Sequence, residues 1–274
     1  MARELAGKVI FITGASSGIG AATARLCIAA GMNVALFARR EAKLRELAGE
    51  LDATGERVLV VAGSVERDED IAEALEQTVQ RFGRLDAVFA NAGYGLCMSV
   101  MGMTDEQHHG IFETNYFGTV RTLRAAVPLL RQTADGLKHV LVCSSAASEI
   151  SLPLYGAYAA TKAAQDSIAG ALRAELSGEG FSVTTVHPVG TKTEFFSTAG
   201  RLSNRKIEDD TPNTPAMFAQ TAEQVARPIV RALRRPRPEV WPMMPVRFGL
   251  AMATAFPRLA AWAMRRQYRE NVDG

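Results

Sequence analysis

The chain has 274 residues, 47% hydrophobic and 22% charged, with a formal net charge of +2. This is ordinary for a soluble globular protein, and the length suits one α/β domain or two small ones. So small a charge gives no reason to expect nucleic acid. Three cysteines, Cys27, Cys97 and Cys143, cannot all pair with one another, and each lies in an apolar setting. Buried free thiols in a reducing compartment are expected. A strand-like run starts within the first ten residues, unlike a signal peptide. The longest late uncharged stretch, Phe248 to Pro257, is too short to cross a bilayer. A cytoplasmic location is therefore expected.

Lys8 to Ile12 is a continuous apolar run, followed at once by Thr13-Gly14-Ala15-Ser16-Ser17-Gly18-Ile19-Gly20 and a helical pattern from Ala21 to Ala30 that closes at Gly31. Strand, glycine turn and helix together are the context that gives such a motif meaning. Glycines let the backbone approach a pyrophosphate, and a helix N-terminus offers free N–H groups and a positive dipole end. Ser16 and Ser17 can add hydroxyls. The second strand, Asn33 to Phe37, ends in Ala38-Arg39-Arg40. A site for NAD usually carries a carboxylate there for the ribose hydroxyls. Two guanidiniums suit a 2′-phosphate instead, so NADP(H) is expected over NAD(H), which is not excluded.

Glu41 to Asp52 and Asp68 to Phe82 read as amphipathic helices, and Arg57 to Ala62 and Asp86 to Ala90 as strands. Alternating strands and helices predict a doubly wound parallel sheet with ligands at the carboxyl ends of its strands. Asn91-Ala92-Gly93 lies at such an end, where it serves either a closely packed ring or simply a turn. A long helical region follows, Asp105 to Leu130, interrupted by Gly110 and Gly118. Asn115 is polar among Phe112, Tyr116 and Phe117, and a buried Asn needs partners. His108 and His109 have no metal-ligand spacing around them, and no metal is expected. Lys138 to Cys143 is a fifth strand ending in Ser144-Ser145, whose hydroxyls could orient a carbonyl.

Ala157 to Leu176 reads as a helix. It places Tyr158 and Lys162, four residues apart, on one face. A phenol titrates near ~10, and an adjacent cation favours the phenolate. The pair is a tunable general acid/base of the kind a carbonyl/alcohol interconversion needs. Phe181 to His187 is the sixth strand, with His187 read as a packed or backbone-bonded residue.

Taken together, Thr13-Gly14-x-x-x-Gly18-Ile19-Gly20, Asn91-Ala92-Gly93, Asn115, Ser145 and Tyr158-x-x-x-Lys162 resemble the short-chain dehydrogenase/reductase family in order and spacing, from about Leu5 to Glu194 and loosely to Val240. The resemblance implies a single three-layer α/β/α Rossmann-fold domain over residues 1–274. It implies a tetrad of Asn115, Ser145, Tyr158 and Lys162. Tyr158 would give the proton as nicotinamide gives hydride. Lys162 would lower the Tyr158 pKa and hold the ribose, Ser145 would bond the carbonyl oxygen, and Asn115 would hold a water. Cofactor contacts are implied at Gly14, Ser16, Ser17, Gly18, Ile19, Gly20, Arg39 and Arg40, at Ser64 and Val65, and at Asn91, Ala92 and Gly93. Further contacts are implied at Tyr158, Lys162, Pro188, Val189, Thr191 and Thr193. Ser64 stands where the family often has Asp. In His187-Pro188-Val189-Gly190 the usual glycine is displaced by one. A homodimer or homotetramer is implied by resemblance alone.

Tyr155, seven residues before Lys162, resembles the catalytic spacing of the related enoyl reductases. The intact Gly18-Ile19-Gly20 and Ser145 favour Tyr155 as a pocket wall. A non-catalytic dinucleotide-binding sensor is the reading from another class. Val189 to Gln220 is long for a connection and suits a substrate lid. Leu96, Met98, Ile150, Leu152 and Leu154 sit at the same edge, so an apolar substrate is expected unless they only pack the loops. Thr221 to Arg235 reads as a helix that Pro228 kinks or breaks, and Pro236 to Pro242 as an edge strand. Residues 246–274 form a C-terminal amphipathic extension. Trp262 and several Phe, Leu and Met side chains alternate there with Arg247, Arg258, Arg265, Arg266 and Arg269. Packing against the pocket or a second subunit is preferred over peripheral contact with an anionic membrane.

Overall fold

A computed structural model describes residues 2–205 and 219–272. The apolar runs become strands because both of their faces are covered. In β1 (Val9–Thr13) every residue is buried. Ile10 and Ile12 enter one core, while Val9 and Phe11 enter the other. The chain continues through α1 (Gly18–Ala29), β2 (Asn33–Ala38), α2 (Glu41–Leu51), β3 (Val58–Ala62), α3 (Asp68–Phe82) and β4 (Ala87–Ala90). Next come α4 (Asp105–Phe112), α5 (Gly118–Gln132), β5 (His139–Cys143), α6 (Gly156–Glu175) and β6 (Ser182–Val186). The last part holds β7 (Thr191–Lys192), α7 (Phe195–Leu202), β8 (Gln220–Thr221), α8 (Ala222–Arg234), β9 (Glu239–Val240), α9 (Met244–Ala255) and α10 (Pro257–Val272).

Seven strands pair in the order β3-β2-β1-β4-β5-β6-β9. All pairings are parallel, with Thr13 beside Phe37 and Cys143 beside Val186 at the carboxyl edge. Helices α1, α2 and α8 close one face; α3, α5 and α6 close the other. This is a doubly wound, three-layer Rossmann-type domain. Fully buried Phe11, Phe37, Phe89 and Leu36 each contribute on the order of 1.5–3 kcal/mol. Because β1 lies between β2 and β4, the chain winds away in opposite directions from that point. A crevice opens there at the carboxyl ends of the strands.

Several boundaries differ from the sequence expectation. Helix α1 starts at Gly18, not Ala21: Gly18 and Gly20 are weak helix formers that read as a turn, yet the helix already begins over them. The helical region from Asp105 runs without a break to Gln132, and its irregularity is not at Gly110 and Gly118 but a five-residue π-helical turn, Glu113–Phe117, between α4 and α5. Pro228 neither breaks nor ends α8, which runs unbroken from Ala222 to Arg234 behind a Thr221/Gln224 capping box. The C-terminal segment is two helices, divided at Phe256 with Pro257 opening the second. Cys27, Cys97 and Cys143 are buried and unpaired. Of the expected lid, residues 206–218 lie outside the described residues. No helix among the described residues is long and apolar enough to cross a membrane.

Candidate active site

The crevice is a cavity of about 800 Å³ at the carboxyl edge of the sheet. One end is built by the turn between β1 and α1. Gly14 has φ of +65°, and a Cβ there would meet the Ala92 backbone at 2.9 Å. Gly18 also has positive φ, so Ser16, Ser17, Gly18 and Ile19 turn along the cavity wall as α1 begins. This cradle has the open backbone and helix N-terminus that a pyrophosphate requires, and a dinucleotide fits it. Gly20 lies behind the wall, against the Gly14 carbonyl and the Asn91 side chain. Asn91 ties the ends of β1 and β4 together: its Nδ2 donates to the carbonyls of Thr13 and Gly14, and its N–H to Thr13 Oγ1. Asn91 is therefore a clamp, with Ala92 and Gly93 carrying the wall onward.

Arg39 and Arg40 stand at the mouth. Arg39 is exposed, lines the cavity, and makes no hydrogen bond or ion pair among the described residues. Arg40 is engaged: it donates to Ser16 Oγ and Ser17 Oγ and pairs with Glu194 at 2.7 Å. Lys43 also grips Glu194, and the two cations pull that carboxyl down to about 2. Glu194 and Lys43 were not picked out in the sequence, since residues 43 and 194 meet only after folding. Ser64, standing where an Asp was noted as missing, accepts from Glu66 N–H, while its own N–H is held by Asp70 from α3. Val65 lines the wall beside it.

At the other end stand Ser145, Tyr158 and Lys162. Ser145 ends the loop after β5 and accepts from Ala147 N–H at 3.1 Å. Tyr158 and Lys162 share one face of α6, with Nζ 5.6 Å from the phenol ring centre. Lys162 is buried and donates to the Cys143 carbonyl at 2.7 Å. Gly93 makes room for it: a Cβ there would meet Asn115 Oδ1 at 3.0 Å and Lys162 Nζ at 3.6 Å. Lys162 was expected to lower the Tyr158 pKa. Among the chain's own groups burial pushes the phenol up, with the Ser145 hydroxyl opposing it. Burial likewise pushes Lys162 down.

Asn115 does not line the cavity. It sits fully buried in the π-helical turn, a feature common at functional sites. Its side chain is consumed by the fold: Oδ1 accepts from Tyr94 N–H, and Nδ2 donates to Tyr94 O and Thr161 Oγ1. Its carbonyl accepts from Thr119 Oγ1 and Gln165 Nε2, both at 2.8 Å. Gln165 is the residue that sequence reasoning missed here. It lies three positions beyond Lys162 on the same helical face, and that spacing is the signal that could have found it.

The remaining wall is apolar and aromatic. Phe195 of α7 packs 5.1 Å from the Tyr158 ring, and Tyr155 lies edge-on to both Tyr158 and Phe196. The Tyr155 hydroxyl is buried beside the Cys97 thiol with no oxygen or nitrogen partner among the described residues, and burial pushes its pKa up. Ile150, Leu152 and Leu154 line the cavity as expected of loop residues at this edge. Leu96 and Met98 do not: Leu96 packs with Ile111 and Ala157, and Met98 donates its N–H to Leu154 O. Pro188, Val189, Thr191 and Thr193 line the cavity between the cradle and α7, with the Thr191 hydroxyl turned back onto Val189 O. Helices α9 and α10 add Val246, Leu250 and Met264. Their outer side leaves Phe248, Met252, Phe256, Leu259 and Trp262 exposed, so packing against the pocket covers only part of the segment.

Residues 8–202 match the family model described as short chain dehydrogenase. The chain belongs to this family of NAD(P)(H)-binding oxidoreductases. It is 33% identical over 276 residues to 11-beta-hydroxysteroid dehydrogenase A of Sesamum indicum, covering 97% of this chain and 76% of that one. An uncharacterised oxidoreductase of Listeria innocua is 29% identical over 231 residues, 84% of this chain and 91% of its own. Among solved structures, the alcohol dehydrogenase of the archaeon Thermococcus sibiricus, complexed with 5-hydroxy-NADP, is 28% identical. It aligns with a TM-score of 0.74 over 85% of this chain and 95% of that chain. A short-chain dehydrogenase/reductase from Burkholderia phymatum in complex with NAD, 23% identical with a TM-score of 0.82 over 94% and 96%, shares the fold.

Proposed function

We propose that the protein is an NADP(H)-dependent oxidoreductase that interconverts a carbonyl and a secondary alcohol on an apolar substrate, with Tyr158 as general acid/base. The observation that carries this is the placement of the Tyr158 phenol on the wall of an aromatic cavity, between Ser145 and Lys162. NADPH, when bound, supplies the hydride. The turn from Gly14 to Gly20, with Asn91 to Gly93, would hold its pyrophosphate side, and Arg39 would meet a 2′-phosphate with Arg40 beside it. Ser145 donates to the carbonyl oxygen. Tyr158, its pKa raised by burial, stays protonated through neutral pH and delivers the proton in the reducing direction. Lys162 supplies the nearby cation when the phenolate forms.

Residues 189–220 serve as the substrate lid, and the inner face of α9 caps the pocket. The exposed outer face of α9 and α10 fits a second copy of the chain, as a homodimer or homotetramer in the cytoplasm. Truncation before residue 246 should then yield monomers in sedimentation. Liposome co-sedimentation lost on the same truncation would assign that face to a membrane instead.

Tyr158→Phe tests the chemistry. It should lower kcat roughly 10²–10⁴-fold while leaving NADPH affinity unchanged. The buried Tyr155 hydroxyl, with no oxygen or nitrogen partner among the described residues, favours one second reading, an enoyl reductase. Full ketone turnover in Tyr155→Phe would exclude that role.

A further inference from the structure

Behind the active site, three side chains from separate elements converge. Glu149 ends the turn that follows Ser145, Asp166 lies one helical turn beyond Lys162 on α6, and His187 follows β6. Their ligand atoms all lie within 4.8 Å of one another. Ligands each about 2.1 Å from a single ion are at most ~4.2 Å apart, so a small swing of the exposed Glu149 completes the geometry.

The histidine supplies independent evidence. His187 is 2% exposed and stacks flat on Trp241, with ring centres 4.2 Å apart. Its Nε2 lies 3.1 Å from Thr185 Oγ1, and that hydroxyl donates its own proton to Pro238 O. With that hydroxyl donating to Pro238 O, Thr185 accepts from Nε2–H, and a neutral His187 ring then carries its bare lone pair on Nδ1. Nδ1 has no hydrogen-bond partner and faces Asp166 Oδ2 at 3.7 Å. Neither Asp166 oxygen has a hydrogen-bond partner among the described residues. Buried polar atoms are rarely left unsatisfied, and two acceptors that face each other are satisfied by a proton or a metal ion between them.

We propose that Glu149, Asp166 and His187 form a divalent metal site behind the active site, selective for borderline ions such as Zn²⁺. One imidazole and two carboxylates suit a first-row transition ion better than Mg²⁺, which prefers all-oxygen shells and retains its waters. The bound ion ties together the Ser145 turn, the Tyr158 helix and the strand end that leads to Pro188. Sequence spacing could not show it, because no two of the ligands share a helix or a short motif.

Calorimetric titration of chelator-treated full-length protein with Zn²⁺, with Mg²⁺ as control, tests the site. One equivalent of Zn²⁺ should bind and raise the thermal midpoint, and Mg²⁺ should not compete. Glu149→Gln, at an exposed position that keeps the fold, and Asp166→Asn should each weaken Zn²⁺ at least about tenfold. Replacing both His108 and His109 with Gln should change nothing. Absence of Zn²⁺ binding, which is the outcome if only a proton bridges Asp166 and His187, overturns the proposal. So does an equivalent of Zn²⁺ whose affinity ignores Glu149→Gln.

Discussion

Two aspartates at opposite edges of the sheet show how the molecule divides its work. Asp86, at the amino edge before β4, is fully buried and fully used: it accepts from Val9 N–H at 2.8 Å and from Arg84 at 2.7 and 2.8 Å, with Lys8 at 3.9 Å. Asp166, at the carboxyl edge, has no hydrogen bond to either oxygen among the described residues. The amino edge spends its polar groups on the fold. The carboxyl edge keeps several in reserve: Arg39, the Tyr155 hydroxyl, Asp166 and His187 Nδ1 all lack oxygen or nitrogen hydrogen-bond partners among the described residues. Groups held apart in this way are available to a ligand, and the fold bears the cost of leaving them unsatisfied.

Breaking the amino-edge cluster should act on stability alone. Asp86→Ala leaves the half-buried Arg84 and the Val9 N–H without their partner and should cost about 3–5 kcal/mol in chemical denaturation. Activity per folded molecule should not change. Breaking the carboxyl edge should do the reverse. Arg39→Ala should lower kcat/KM for NADPH roughly 10–150-fold through a lost charge-assisted contact, leave NADH almost unaffected, and leave the unfolding midpoint in place.

Gln165 sits between the two behaviours. Gln165→Leu strips one donor from the Asn115 carbonyl and should cost about 1–3 kcal/mol of stability. It should also lower kcat by disturbing the π-helical turn beneath Lys162, with KM for NADPH little changed. Gln165→Glu, which cannot donate from the same position, should reproduce the kcat loss.

A separate effect concerns pH. Burial lowers His139, at the start of β5, from 6.5 to about 3. The unfolded chain therefore binds a proton that the folded chain refuses. Stability from this residue is complete above pH 6.5 and is lost progressively as pH falls toward 3. His139→Gln should flatten that part of the denaturation profile.

How much of this was legible depends on the range over which each feature is encoded. The strand, glycine turn and helix of residues 9–29 can be read directly, because backbone freedom at Gly14 and the apolar run before it are local properties. The pairing of Tyr158 with Lys162 on one face follows from helical spacing alone. The π-helical turn at Asn115 could not be read, since apolar periodicity continues through it. The grip of Arg40 and Lys43 on Glu194 joins residues about 150 positions apart, and sequence gave Arg40 only a phosphate to meet. The net direction of the Tyr158 shift could not be read for a related reason. Proximity of a cation is visible in a motif, but burial, which pushes the phenol up, is a property of the whole fold.

The central claim is that the carboxyl edge performs NADPH-dependent carbonyl reduction. The most direct measurement is NADPH consumption by the wild-type protein against a panel of bulky apolar ketones, small polar ketones, aldehydes and enones, with NADH in parallel. The account predicts turnover of apolar ketones with NADPH favoured over NADH. Turnover confined to enones, or faster turnover of small polar ketones with NADH preferred, would contradict it.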